Sequence, residues 1–240
     1  MRFETQFTQA FIRRSLPESA RRLLEIGCGS GELAASLLQN GISLIAIDND
    51  ADSIAAARAL GVDAHVATWP DFDDGLFDAI LFTRSLHHMH PLNQAVRRAA
   101  DTLVLGGRLI VEDFAYETAD EKTLQWFADL IDQLDGADLL LKEDDFLSTI
   151  RSRTEMVEMW REHYESGLHT AAMVFAEIQS VFGEVQCEEA PYYFRYLSGA
   201  IVSTAARDKI LQDLAEQEAE LIAKGTIVAL GRRFVAERSK

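Results

Sequence analysis

The sequence has few of the residues that cross-link or interrupt a chain. Its 240 residues include two cysteines, Cys28 and Cys187, and four prolines. A disulfide scaffold needs more cysteines, so we expect a reducing compartment, and specifically a cytoplasmic protein. No apolar run approaches the ~20 residues of a transmembrane helix, and the N-terminal segment lacks the uninterrupted apolar stretch of a secretion signal. We therefore expect no membrane partner.

Basic side chains are also scarce. The chain has 23 Lys and Arg against 39 Asp and Glu, which gives a formal net charge of −16. Phosphates would be repelled by such a surface, so nucleic acid is disfavoured as a partner. With 48% hydrophobic residues, the chain can bury the core of one large domain.

Strand-like and helix-like segments alternate through the first half of the chain. Short apolar runs that end in turn residues indicate buried strands, and amphipathic stretches lie between them. Five alternations predict a doubly wound α/β sheet of parallel strands. The predicted strands cover residues 22–27, 42–47, 64–67, 77–82 and 108–114.

The pattern then becomes helical. A capping box in which Thr118 precedes Glu121 by three residues predicts a helix start. We predict one domain over residues 1–240, with a Rossmann-like core over about 20–117 and 170–240 and a helical insertion over about 118–169. Later elements are predicted as helices over about 154–164, 170–182 and 200–224, strands over 185–197 and 226–237, and a break at Ser166–Gly167.

The segment LEIGCGSGEL, residues 24–33, has glycines where the first strand turns into a helix. Glycines there allow close backbone approach to a ligand, and the helix N-terminus offers free N–H groups. Asp48 follows at the end of the next strand, where such folds place an acid on ribose hydroxyls. A tight turn without a ligand is the alternative interpretation.

Two cofactor classes use this architecture. A dinucleotide fingerprint is G-x-G-x-x-G, but here the third glycine, Gly31, comes one residue early. Glu25 stands two residues before the first glycine, where it would repel a pyrophosphate and attract an amino group and a sulfonium. S-adenosylmethionine is therefore favoured over NAD.

These motifs resemble those of the class I S-adenosylmethionine-dependent methyltransferases of the small-molecule type. EIGCGSGELA, AIDND, ATWPDFDD and FDAILFTRSLHHM are similar to the first four motifs of that family. The resemblance implies a seven-stranded sheet of order 3-2-1-4-5-7-6, with the last strand antiparallel and a helical insertion after strand 5. Thr68 stands where the family often has Asp. The implied cofactor-binding residues are Glu25, Gly27, Cys28, Gly29, Gly31, Asp48, Asn49, Thr68, Trp69 and Thr83.

A hydroxyl acceptor would benefit from a general base, whereas a neutral amine needs little more than correct positioning. The candidate bases are His88, Glu112 and His87 at the carboxyl edge of the sheet, with Asp113, His163 and His169 as further possibilities. Internal packing is the alternative for each. Metal-dependent relatives place an acid where this chain has Thr83–Arg84, so we predict no metal.

Residues 112–165 carry 16 acidic against 5 basic side chains. They form either a solvated face or a lid that favours a cationic or amine acceptor. The function predicted from the sequence is methyl transfer to N or O of a small organic acceptor held under this insertion. The alternatives are an NAD-linked oxidoreductase and a non-catalytic S-adenosylmethionine-binding protein.

Overall fold

The computed structural model describes residues 1–38, 41–140, 145–165, 167–202 and 206–239. Its central feature is a seven-stranded sheet of order β3-β2-β1-β4-β5-β7-β6. The first five strands run parallel, and β7 pairs antiparallel with both β5 and β6. The predicted fold class and strand order are confirmed.

The strands of the sheet are β1 Arg22–Ile26, β2 Ser43–Asp48, β3 Asp63–Val66, β4 Phe77–Thr83, β5 Leu103–Phe114, β6 Gln186–Ala190 and β7 Gly231–Glu237. The helices are α1 Phe3–Ser15, α2 Glu32–Leu37, α3 Ala51–Ala59, α4 Leu92–Thr102, α5 Glu121–Gly136, α6 Asp145–Arg151, α7 Met156–Glu165, α8 Ala171–Phe182, α9 Phe194–Leu197 and α10 Arg207–Ala223. None of the helices in these described ranges is long and apolar enough to cross a membrane.

Helices cover both faces of the sheet because its inner strands are apolar on both sides. In β4 every residue except Asp78 is buried. One face packs against α4 and α8 through Val96, Val174 and Ile178, and the other packs against α1, α2 and α3. These two cores place the carboxyl ends of β1, β2 and β4 at one edge of the sheet, where open α/β folds bind ligands.

A third core lies beyond β5. The buried faces of α5, α6 and α7 pack against the segment Tyr192–Leu197 and against α10, around Phe127, Trp160 and Tyr193. The helices of the insertion thus pack against the segment Tyr192–Leu197 and stabilise it. The division of the chain into a core and an insertion remains a prediction.

Several elements differ from the sequence-based expectation. Helix α1 was not predicted, and Thr118 does not cap α5: Asp120 does, by accepting a hydrogen bond from the Thr123 N–H. The strand expected over 185–197 ends at Ala190, and α9 follows it. The last strand begins at Gly231, later than the predicted residue 226.

The helix expected over 200–224 is α10, which begins at Arg207. Residues 203–205 of that prediction lie outside the described residues, and so does Ser166 of the predicted break.

Candidate functional site

Two cavities meet at the carboxyl edge of β1, β2 and β4. The first has a volume of about 520 Å³ and lies between the glycine turn, α1 and the segment Tyr192–Ser198. The second has about 460 Å³ and lies beside the ends of β2 and β4. Gly27 and Arg84 line both cavities, so an elongated ligand could extend from one into the other.

The glycines of the turn have different reasons to be glycine. All three have positive φ values, but a Cβ on Gly27 would come within 2.5 Å of Ser85 Cβ, and one on Gly31 within 2.5 Å of Ala57 Cβ. Their small size therefore permits close packing of the protein itself. A Cβ on Gly29 would meet nothing within 4 Å. Gly29 is the glycine of the turn with open space above it.

Asp48 ties the second strand to the glycine turn. Its Oδ2 accepts a hydrogen bond from the Gly29 N–H at 2.9 Å, and its Oδ1 accepts one from the Asp50 N–H at 3.0 Å. A carboxylate has about four acceptor positions, so each oxygen keeps capacity for another donor. Asp48 lines the second cavity, and the two backbone contacts fix its orientation there.

Glu25 is buried beneath the turn and lines the first cavity. Its Oε1 accepts a hydrogen bond from the Thr83 hydroxyl at 3.2 Å, whereas its Oε2 has no hydrogen-bond partner among the described residues. Burial raises the pKa of Glu25 to about 7, against the smaller lowering effect of the Thr83 hydrogen bond. A buried carboxylate oxygen without a donor is costly, and a bound cation would relieve this cost.

The remaining predicted cofactor residues divide between the cavities. Cys28 and Thr83 line the first, and Asn49, Thr68 and Trp69 line the second. Trp69 is fixed by a hydrogen bond from its Nε1 to the Ala95 carbonyl at 3.0 Å. Burial, with the nearby Glu25 and Asp48 charges, raises the pKa of the Cys28 thiol to about 12, so this thiol stays protonated at neutral pH.

The three candidate bases lie in different surroundings. His88 lines the second cavity, and burial together with the charge of His87 lowers its pKa, so it is neutral at pH 7. His87 is buried against Asp113, with 2.5 Å between its Nδ1 and Oδ1 of that acid. It lines neither cavity. The structure gives His87 an internal partner and no access to either cavity.

Glu112 is likewise committed to internal contacts. Its Oε1 accepts hydrogen bonds from Thr8 and Arg195, and its Oε2 accepts one from Arg233. Burial alone would raise the pKa of Glu112, but the two arginines hold it below its usual value. Glu112 lines neither cavity, so we do not retain it as a candidate base.

Sequence reasoning missed the outer wall of the first cavity. Arg2, Thr5 and Thr8 reach it from the start of the chain, and Tyr192 and Arg195 reach it from beyond β6. The spacing of Phe3, Phe7 and Phe11 was a usable signal for the amphipathic helix α1. The wall residues of Tyr192–Ser198 carried no such signal, because an aromatic run reads as a strand.

The insertion does not line these cavities with its described residues. Part of its negative charge is paired at the surface, where Arg151 bonds Asp132 and Asp135, and Arg153 bonds Asp129 and Asp132. This arrangement matches the interpretation of a solvated face. The expectation that the insertion covers an acceptor and attracts a cation is not supported by this placement.

No group of three or more His, Cys, Asp or Glu side chains suited to a metal ion occurs within the described ranges.

Known proteins share both sequence and fold with this chain. A sequence profile described as a methyltransferase domain matches residues 2–163. An uncharacterized methyltransferase of Mycobacterium bovis is 31% identical over 123 residues, which cover 48% of this chain and 47% of the relative. The ribosomal RNA small subunit methyltransferase C of Chromohalobacter salexigens is 35% identical over 104 residues, covering 39% of this chain and 31% of that protein. The chain thus spans at most about half the length of these relatives.

Among solved structures, phosphoethanolamine N-methyltransferase 2 of Haemonchus contortus, determined with S-adenosyl-L-methionine, superposes with a TM-score of 0.60 at 13% identity. The superposition covers 98% of this chain and 53% of the other. At that identity the likeness concerns the fold.

Proposed function

This chain belongs to the class I S-adenosylmethionine-dependent methyltransferase family, and we propose that it transfers a methyl group from that cofactor to a small organic acceptor. The observation that carries the proposal is the buried carboxylate of Glu25. Its Oε2 is buried without a donor among the described residues, and Glu25 lines the cavity that adjoins the glycine turn. A cofactor with an ammonium and a sulfonium would supply the positive charge that this oxygen lacks.

The second cavity fits the nucleoside part of the cofactor. We propose that the free acceptor positions of Asp48 receive the ribose hydroxyls, while Asn49 and Trp69 flank the adenine. Thr68 lines the same cavity, where its hydroxyl could accept from the adenine amino group. The open space above Gly29 leaves room for the methionine part to pass the turn into the first cavity.

The same features argue against a dinucleotide. A pyrophosphate at the turn would face Glu25, and its charge would add to the cost of ionising a carboxylate that burial already makes costly to ionise. Two negative groups in a low-dielectric cavity repel strongly. For this reason an NAD-linked oxidoreductase is the weaker alternative.

When bound, the cofactor supplies an electrophilic methyl group on its sulfonium. The residues of this chain would hold the two reactants in line, and this positioning can account for much of the rate. A neutral amine acceptor requires no base from the protein. For a hydroxyl acceptor, neutral His88 is the remaining cavity-lining candidate among the three predicted bases.

We propose that the acceptor is a small molecule, because the first cavity has a volume of about 520 Å³. That volume lies within the range of about 300–1,000 Å³ that is usual for small ligands. The test is formation of S-adenosylhomocysteine with labelled cofactor and a panel of amines, phenols, carboxylates and sugar derivatives.

Turnover with any panel member would separate an enzyme from a cofactor-binding protein. Asp48→Ala should weaken S-adenosylhomocysteine binding by more than about tenfold, because it removes two charge-assisted hydrogen bonds. The exposed Asp52→Ala is the matched control and should change this affinity little. Equal affinities for wild type and Asp48→Ala would exclude the proposed ribose site.

A further inference from the structure

Three arginines surround the single carboxylate of Glu112 at the back of the first cavity. Arg195 Nη2 lies 2.7 Å from Oε1, and Arg233 Nη2 lies 2.9 Å from Oε2. Arg84 Nη1 is farther away, 3.7 Å from Oε1. Arg233 also pairs with Glu188 at 3.0 Å. One carboxylate therefore serves both Arg84 and Arg195, and the cluster has a surplus of positive charge.

The charged residues on the opposite wall already have partners. Arg2 pairs with Glu32 at 2.9 Å, and Glu4 pairs with Arg207 at 2.7 Å. Among the described charged residues that line the first cavity, Glu25 and Arg84 are left without an opposite charge within hydrogen-bonding distance, and Arg84 keeps its longer contact of 3.7 Å to Glu112. Under the proposed function Glu25 receives the positive end of the cofactor, so Arg84 has to share the Glu112 carboxylate with Arg195 and Arg233.

The position of Arg84 differs from that of an ordinary surface arginine. Its backbone has φ 59°, which is uncommon for a residue with a side chain, and its N–H donates to the Glu112 carbonyl at 2.7 Å. Arg84 lines both cavities, at the junction between the nucleoside and methionine ends of the proposed cofactor site. The reacting methyl group would lie near this junction, so Arg84 is placed to contact the acceptor.

The surplus is notable in a chain with a formal net charge of −16. Arginines held close together repel each other, and the pKa of Arg195 is lowered by burial and by the neighbouring Arg84 charge. An anion between them would relieve the repulsion, and the guanidinium group suits the two oxygens of a carboxylate or phosphate.

We propose that the acceptor carries an oxyanion group, carboxylate or phosphate, and that Arg84, with support from Arg195, binds this group beside the methyl donor. The inference rests on the proposed function, because the cofactor must occupy Glu25 and Asp48. It replaces the cationic acceptor that the acidic insertion suggested.

The test is isothermal titration of the protein saturated with S-adenosylhomocysteine. The probes are benzoate, inorganic phosphate and the neutral benzamide, all at the same ionic strength. We expect one of the two anions to bind at least about tenfold more tightly than benzamide, and the preferred anion identifies the group. Arg84→Gln should weaken that binding by about tenfold or more, and Arg84→Lys should retain part of it. Arg97→Gln, an equal charge change on the exposed face of α4, is the control and should change neither affinity.

The proposal is overturned if neither anion binds the complex more tightly than benzamide does, or if Arg84→Gln leaves the anion affinity unchanged. It is also overturned if Arg84→Gln weakens S-adenosylhomocysteine as strongly as the anion, because Arg84 would then bind the carboxylate of the cofactor itself. Failure of wild-type protein to bind S-adenosylhomocysteine would overturn the proposed function first, and this separate titration distinguishes the two failures.

Discussion

Replacing Glu25 with Gln separates what this residue costs the fold from what it contributes to binding. The side chain is buried, its Oε1 accepts from Thr83, and its Oε2 has no donor in the described structure. Gln has nearly the same shape and can keep the Thr83 contact. The substitution therefore removes a charge without opening a cavity, and we expect opposite effects on stability and on cofactor affinity.

The size of the expected stability change follows from the pKa of Glu25. Burial raises the pKa of Glu25 from 4.5 to about 7, which makes ionisation roughly 3 kcal/mol more costly in the folded protein than in the unfolded chain. Below pH 4.5 both states are protonated and the cost is absent. It grows as the pH rises towards 7 and is complete above 7. The buried amide of Gln has a cost of its own, so we expect a gain of about 1–3 kcal/mol at pH 8.5 and little gain near pH 4.5.

Thermal unfolding without ligand measures the first effect. At pH 8.5 Glu25→Gln should melt several degrees above wild type, since about 1 kcal/mol moves Tm by roughly 2–4 °C in a chain of this size. Titration with S-adenosylhomocysteine measures the second, and we expect a loss of about tenfold to hundredfold from the missing charge-assisted contact. The exposed Glu18→Gln is the matched control. This account of Glu25 would be refuted if wild type and Glu25→Gln melted at the same temperature at both pH values, or if they bound S-adenosylhomocysteine with the same affinity.

Three further outcomes follow. A bound ammonium would lower the pKa of Glu25 from about 7. Wild-type affinity for S-adenosylhomocysteine should therefore be constant above pH 7 and fall below pH 7, by up to about tenfold per pH unit. A flat calorimetric profile from pH 5.5 to 8 would contradict this prediction. Gly31→Ala should destabilise the fold by about 2 kcal/mol or more in denaturant unfolding, because its Cβ would meet Ala57 at 2.5 Å. A Cβ on Gly29 would meet nothing within 4 Å, so Gly29→Ala should mainly weaken cofactor binding. Equal stabilities of the two variants would be inconsistent with this packing. Glu218 accepts hydrogen bonds from the backbone N–H groups of Tyr192, Tyr193 and Phe194. Glu218→Gln should therefore raise the acceptor KM severalfold and leave the affinity for S-adenosylhomocysteine nearly unchanged. An equal loss of affinity for the acceptor and for S-adenosylhomocysteine would point to general unfolding.

Local sequence signals predicted the part of the site that is built from local structure. The turn Gly27–Gly31 and the position of Asp48 follow from residues adjacent in sequence, because the strand, the turn and the helix start form one continuous unit. The strand order followed from the resemblance to a known family, and the parallel sheet followed from the alternation of strands and helices. These predictions needed no knowledge of distant contacts.

The proposed acceptor side of the site depends on contacts that local patterns do not encode. The run PYYFRYL is typical of a strand, but the chain forms α9 there. Glu218, 24 to 26 residues away in sequence, accepts hydrogen bonds from the first N–H groups of that segment and so stabilises the helix start. Glu112 lies near the carboxyl end of its strand, where a candidate base is expected, but Arg195 and Arg233 pair with its carboxylate and neutralise it. Arg84 gave no sequence signal, because its importance comes from what surrounds it.

The central claim is that this chain binds S-adenosylmethionine at the turn and at Asp48. Isothermal titration of wild-type protein at pH 8 with S-adenosylhomocysteine, and separately with NAD and NADH, tests it most directly. We predict one S-adenosylhomocysteine site of micromolar or tighter affinity, which Asp48→Ala weakens by more than about tenfold, and no heat from either dinucleotide. Binding of NAD or NADH, or the absence of S-adenosylhomocysteine binding, would contradict it.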